Sequence, residues 1–362
     1  MEENVKNRNG SIEFLRFVFA CVVIVFHAGI SAFPMRGGYL GVEFFFILSG
    51  VFLGKKLSAK YEDYKNEPIA LTLIESRKYL FKRICSIYPQ FVISSGIGLV
   101  VYLIAQKPSG KQAVIKVLSS FGDLLFLQNF GIKTPSLTGV VWYLSAMFFA
   151  LWLIYPIVRR NYELVAKYLA PVVSMLIIGF LLNTFGSLEV PNSYAFGFLN
   201  TGFLRAVAMI LLGIFVNEVS VNLGNLKLSK RMKMIVTGFE LFLFVCVFGC
   251  MAIWTKELGL ADWLVVLSMA CGLAIICSGQ SCLSYVFNNK IAICLGKLSS
   301  VLFLNHLYWI LNIRDILVGY GLEYSATTSK LIAILLSFIT SLIIFVLSGK
   351  IRTIFKKVIA AD

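Results

Sequence analysis

SIEFLRFVFACVVIVFHAGISAF, residues 11–33, decides the fold class: an apolar run from Ile12 to Phe33 with Arg16 and His27 inside it. A helix crossing a hydrocarbon core of about 30 Å needs about 20 such residues. The run is too long for the core of a cleaved secretory signal and lacks a small-residue cleavage pattern followed by soluble sequence. It is therefore expected to remain as a first membrane span. Working outward, apolar runs of similar length recur to Gly349, and ten spans are expected at roughly 11–33, 38–55, 84–106, 137–158, 164–184, 200–217, 233–255, 262–280, 291–312 and 328–349. Composition agrees. The chain is 59% hydrophobic and 14% charged with a mean hydropathy of +0.85, against about 45–50% and about 25% for soluble domains. The expectation is one domain over 1–362, an all-α integral membrane protein of about ten transmembrane helices.

Orientation follows from the 33 Lys and Arg residues, because cytoplasmic loops hold the excess. With the N-terminus inside, 23 fall on inner segments, 8 on outer segments, and Arg16 and Arg205 lie within spans. Both termini are thus expected in the cytoplasm. The net charge of +15 then describes a basic face beside anionic lipid of the bilayer, and nucleic acid is not an expected partner. Between the third and fourth spans, Lys111 to Phe130 alternates Ile115, Leu118, Phe121, Leu124 and Leu125 with polar residues, the pattern of an amphipathic helix lying on the membrane. Residues 58–83 form the longest polar connection. Gly50 and Gly54 make a small-xxx-small pair suited to close helix packing. Eight cysteines in or beside apolar runs, without a metal-type CxxC pair and with two histidines in the chain, predict neither a disulfide framework nor a metal site.

Ionisable groups inside spans are costly and therefore mark candidate functional positions. Here they are Arg16, His27, Glu43, Arg205, Glu240 and His306. Arg16 and His27 stand eleven residues apart, so they share one helix face at an axial distance of about 16 Å. Glu43 enters the second span at a depth matching His27, where a carboxylate could orient an imidazole and raise its basicity, or serve only to pair two helices. His306, with Asn305 beside it, reaches the same outer third from the ninth span and fits either catalysis or a structural hydrogen bond. Arg205 suits an anionic or polar acceptor, or snorkelling to the interface. Lys82 and Arg83, with Arg77 and Lys78, suit either donor phosphates or lipid headgroups. Trp142 and Tyr143, with Trp152 and Tyr155, suit an interfacial belt or a sugar-stacking wall. Glu240 has no partner visible in the sequence.

These blocks, in this order, resemble the membrane acyltransferases of family 3. IEFLRFVFACVVIVFHAG is similar to that family's arginine, ten residues and histidine, met by Arg16 and His27. GGYLGVEFFFILSGVFLG resembles its second block with Glu43, Ser49 and Gly50. FKRICSIYPQF, VVWYLSAMFFALWLIYPIV and LGKLSSVLFLNHLYWI resemble its basic, tryptophan and late-histidine blocks. Ser86 stands where many relatives have a further arginine. Met147 stands where the branch fused to an extracytoplasmic hydrolase-like domain has Glu, and with no such domain after the last span the chain resembles the stand-alone, polysaccharide-modifying branch.

The resemblance implies O-acyl transfer from cytoplasmic acyl-CoA, acetyl-CoA foremost, to a cell-surface or secreted polysaccharide in a bacterial plasma membrane, beside polysaccharide synthesis machinery. No bound cofactor is implied. His27, oriented by Glu43, would be base or nucleophile. Arg16, Lys82 and Arg83 would face the donor, and His306 or Tyr143 the oxyanion. A transporter or flippase for a lipid-linked sugar fits the same spans, although such folds carry inverted repeats and broken helices that the sequence does not display.

Overall fold

The computed structural model describes residues 8–130, 136–190, 193–253 and 259–359. Lys6, counted above on the inner face, and the last two residues of the expected seventh span lie outside them. Ten long helices make the bundle: Gly10–Ala28, Gly41–Ser58, Ile69–Gln106, Val141–Arg160, Tyr162–Phe185, Thr201–Gly224, Lys230–Ile253, Leu260–Ser278, Lys290–Gly319 and Ala326–Ile359. They are called the first to the tenth helix below. Among the described residues nine, all but the second, are long and apolar enough to cross a membrane. The chain is an all-α, multi-pass membrane protein.

The second helix differs because it is the bundle's centre. Its 18 residues include Glu43, Lys55 and Lys56, charges that a lipid-facing helix would carry at high cost. It packs most closely on the sixth helix and also touches the first, fourth and eighth, so protein rather than lipid surrounds it. Two hubs organise the rest. The sixth helix gathers the second, fourth, fifth and eighth, while the ninth gathers the first, third and tenth.

Glycine sets the closest approach. A Cβ on Gly50 would stand 2.0 Å from the carbonyl oxygen of Ile210, and one on Gly213 would stand 2.0 Å from that of Ile47. The second and sixth helices therefore meet backbone to backbone, and Gly54 rests on Asn217 one turn further on. This is the packing that small residues permit in lipid, where van der Waals contact replaces the hydrophobic drive.

Helix ends fall where local chemistry puts them. Asn9 caps the first helix, its side chain accepting from the backbone N–H groups of Ser11 and Ile12, and Gly29 ends it in the left-handed region at φ 56°. The first helix thus stops at Ala28, five residues before the apolar run ends. The third helix begins at Ile69, inside the stretch read as a polar connection, because Pro68 starts it and no helix breaker follows before Pro89. Hydropathy registers only the lipid-embedded part of such a helix.

On the opposite side, Gly110–Ser119 opens with a capping box between Ser109 and Gln112. It ends at Ser119, so the stretch read as one amphipathic helix is broken there, and Ile115 and Leu118 on it, with Phe121 and Leu125 beyond it, are exposed, a face matched to a lipid interface.

Candidate active site

The first and ninth helices run side by side, which brings together the chain's two histidines, 279 residues apart. Nε2 of His306 lies 3.2 Å from Nδ1 of His27. The protons follow from the partners. Nδ1 of His306 faces the carbonyl oxygens of Phe303 at 2.9 Å and Leu302 at 3.2 Å, and carbonyls only accept, so this nitrogen carries the hydrogen. Neutral His306 then presents an unprotonated Nε2. Nδ1 of His27 stands between that acceptor and the carbonyl oxygen of Val23 at 2.9 Å, so it too carries its hydrogen. What remains is Nε2 of His27, a lone pair without a hydrogen-bond partner among the described residues, on a partly exposed ring. Three backbone carbonyls and a second histidine thus hold His27 in the tautomer that a general base requires.

Glu43 does not orient His27. Nε of Arg205, on the sixth helix, donates to its Oε1 at 2.7 Å, and Nη2 lies 2.5 Å from the same oxygen. Both side chains are essentially inaccessible, at 0% and 1% exposure. The close contact of the second and sixth helices places these partners opposite one another, whereas the second touches the first more lightly. Arg205 accordingly neither snorkels nor waits for an anion. Its guanidinium sits 5.2 Å from the Trp142 ring centre, which covers the pair. Oε2 of Glu43 is buried without a hydrogen-bond partner among the described residues.

At the basic end lies a cavity of about 1120 Å³. Arg8, Arg16, Lys55, Arg83 and Lys297 line it, against the single carboxylate of Glu13. Glu13 bridges Arg16 at 2.8 Å and Arg8 at 3.1 Å, and Gly296 makes room for it, since a Cβ there would meet Glu13 Oε2 at 2.1 Å. Nη2 of Arg83 donates to Ser49 Oγ at 3.3 Å, and Ser49 donates to the Phe45 carbonyl. Five cations about one anion in a partly enclosed space make a strongly positive wall. At its inner end the cavity meets Phe45, Tyr143 and Phe303. Phe303 is one helical turn from His306, with ring centres 6.0 Å apart.

Several expected residues stand elsewhere. Lys82 is exposed and takes no part in the cavity wall. Asn305 turns to the tenth helix, donating to Ser337 O and Ser341 Oγ and accepting from Thr340 Oγ1, so it fastens two helices instead of meeting an acceptor. His306, with one proton already given to backbone, has none for an oxyanion. Trp142 and Tyr143 point inward, where Tyr143 Oη lies 3.7 Å from Met147 Sδ and also bonds Ser49; Tyr155 is fully buried, and Trp152 alone of the four faces outward. Glu240 is buried on the seventh helix, away from the cavity wall. Sequence reasoning missed Arg8, Glu13, Lys55 and Lys297. Glu13 was the one with a signal, a carboxylate three residues before Arg16 on one helix face.

No curated protein and no solved structure matches the chain. The family model described as an acyltransferase domain, that of acyltransferase family 3, matches residues 9–349, which takes in nine of the ten helices and most of the tenth. On that match the chain belongs to acyltransferase family 3, as a membrane-embedded O-acyltransferase.

Proposed function

We propose that the protein transfers an acyl group, acetyl foremost, from a cytoplasmic acyl-CoA to a hydroxyl of a cell-surface or secreted polysaccharide, in the plasma membrane of a bacterium. The observation that carries this reading is the tautomer chain ending at His27 Nε2. An alcohol must lose a proton to attack a thioester, and this lone pair is the acceptor for it. As the sugar oxygen bonds to the carbonyl carbon, its proton passes to His27 Nε2. The tetrahedral oxyanion faces the Tyr143 hydroxyl, whose neighbours are the Met147 sulfur and the Ser49 hydroxyl. Collapse breaks the carbon–sulfur bond, and the imidazolium returns the proton to the departing CoA thiolate. No acyl-enzyme is needed, since His27 serves as base throughout.

The donor's phosphates suit Arg8, Lys55, Arg83 and Lys297, which belong to segments carrying the excess of Lys and Arg and hence the cytoplasmic side, and Arg16 on the same cavity wall. Arg16 and His27, on one face about 16 Å apart, mark the two ends of the path. Burial of the Arg205–Glu43 pair under Trp142 and the open Oε2 of Glu43 support a polyhydroxylated acceptor, whose second hydroxyl would donate to that oxygen. Polysaccharide synthesis machinery is the expected neighbour in the membrane.

The test is transfer of radiolabelled acetyl from acetyl-CoA in membranes holding the full chain and natural surface glycans. Base-labile label in sugar is the expected outcome. Absence of label from every acyl-CoA supplied, with folded protein present, would overturn the reading.

A further inference from the structure

Between the basic cavity and the histidine pair stand three aromatic rings from three helices. Phe45 comes from the second, Tyr143 from the fourth and Phe303 from the ninth. Their centres are 5.1 Å apart for Tyr143 and Phe303, 5.8 Å for Phe45 and Phe303, and 6.4 Å for Phe45 and Tyr143. All three wall the cavity, whereas His27, His306, Glu43 and Arg205 do not. The rings are where the cavity stops, and His306 begins one helical turn beyond. Centres 5–6 Å apart are rings in contact, so the triad is closed. A thioester carried on a bulky, polyanionic nucleotide can reach His27 only by pushing its acyl end between these rings, while the nucleotide stays among the cations.

We propose that Phe45, Tyr143 and Phe303 form an aromatic gate that selects a short, uncharged acyl group. This rests on the acyl-CoA reading above. Two physical reasons give the direction of selection. Room first: Leu48, Leu144 and Met147, themselves buried, wall the cavity beside the rings, and a packed apolar wall discriminates by about 10-fold or more for each methylene it must displace. Charge second: beyond the rings the nearest ionised groups reached through Trp142, whose ring centre lies 6.4 Å from that of Tyr143, are Arg205 and Glu43, already matched to each other. A terminal carboxylate on the acyl chain would pass through apolar wall and arrive beside a carboxylate, without a free cation to meet it.

The gate also explains why Met147 suits its position. Its sulfur takes weak hydrogen bonds from Ser49 Oγ at 3.5 Å and Tyr143 Oη at 3.7 Å. The flexible thioether fills the cavity wall beside the rings without adding charge.

The experiment compares acetyl-, butyryl-, hexanoyl- and succinyl-CoA, each radiolabelled, in membranes holding the full chain and natural surface glycans. Wild type is set beside Phe45→Leu, Phe303→Leu and Phe303→Ala. The leucine variants keep the core apolar and folded while removing ring area. Wild type is expected to prefer acetyl over hexanoyl by at least about 100-fold and over succinyl by a similar margin. Each variant is expected to raise the hexanoyl-to-acetyl ratio by about 10-fold while succinyl stays excluded. The gate is overturned if wild type transfers acetyl and hexanoyl within about 3-fold, if it uses succinyl as readily, or if folded leucine variants leave the ratio unchanged. Those results leave the acyltransferase reading standing. Failure of wild type to transfer any of the four overturns that reading and the gate with it.

Discussion

Removing one member of the Glu43–Arg205 pair should unsettle the centre of the bundle more than removing both. The pair joins the second and sixth helices through two contacts of 2.7 and 2.5 Å at 0% and 1% exposure. Taking one partner from a buried ion pair costs about 3–5 kcal/mol, because the survivor is left as an uncompensated charge. Glu43→Leu strands a guanidinium under Trp142. Arg205→Met strands a carboxylate that already has one unpartnered oxygen. The double variant removes both charges and replaces them with apolar side chains of similar reach, so its cost should fall to about 1–2 kcal/mol or vanish. A double-mutant cycle on thermal unfolding of detergent-solubilised protein reads the coupling directly. Single variants are expected to be nearly unfolded at temperatures where the double variant remains monodisperse. Additive effects, with the double variant as damaged as the sum of the two singles, would refute the buried-pair reasoning.

Four other outcomes follow from the geometry. Gly50→Val or Gly213→Val should abolish folded yield, since a Cβ at either site meets backbone oxygen at 2.0 Å and overpacking a tight contact costs at least about 1–3 kcal/mol; size-exclusion of solubilised protein checks it. Arg83→Ala and Lys297→Ala should each raise KM for acyl-CoA by about 10–100-fold with kcat nearly unchanged, as loss of a charge-assisted hydrogen bond of about 1.5–3 kcal/mol requires, while Lys82→Ala, outside the cavity wall, should leave KM where it was. Asn305→Leu should lower stability by about 1–2 kcal/mol through lost bonds to Ser337, Thr340 and Ser341, with specific activity per folded molecule retained. His306→Phe, which keeps the ring but removes the acceptor for His27 Nδ1, should cost kcat more than KM, and a proportionate rise in KM alone would contradict its positioning role.

Much of the fold was legible because a bilayer imposes a length rule on every span. The expected runs at 84–106 and 291–312 fall inside the third and ninth helices, Ile69–Gln106 and Lys290–Gly319. The surplus turns were invisible because they carry polar residues that hydropathy assigns to loops. Depth was legible too. Counting residues from the outer ends put His27 and His306 at one level, and their rings meet. Azimuth was not. Whether His27 meets Glu43 or His306 depends on which helices are neighbours, and that is decided by Gly50 against Gly213 and by the ninth helix lying along the first, contacts between residues 163 and more than 260 positions apart. Hydrophobic periodicity carries no such pairing information in lipid, where nearly every face is apolar. The same blindness hid Lys55 and Lys297, which look like ordinary positive-inside residues until the fold turns them toward one cavity.

The measurement to make is acetyl transfer in membranes by His27→Ala against wild type, normalised to folded protein. Loss of the lone pair at Nε2 should reduce turnover by about 10²–10⁴-fold, the range that a positioned general base supplies, with folded yield and binding of acyl-CoA unchanged. Turnover within a few-fold of wild type would contradict the assignment of His27 as the base.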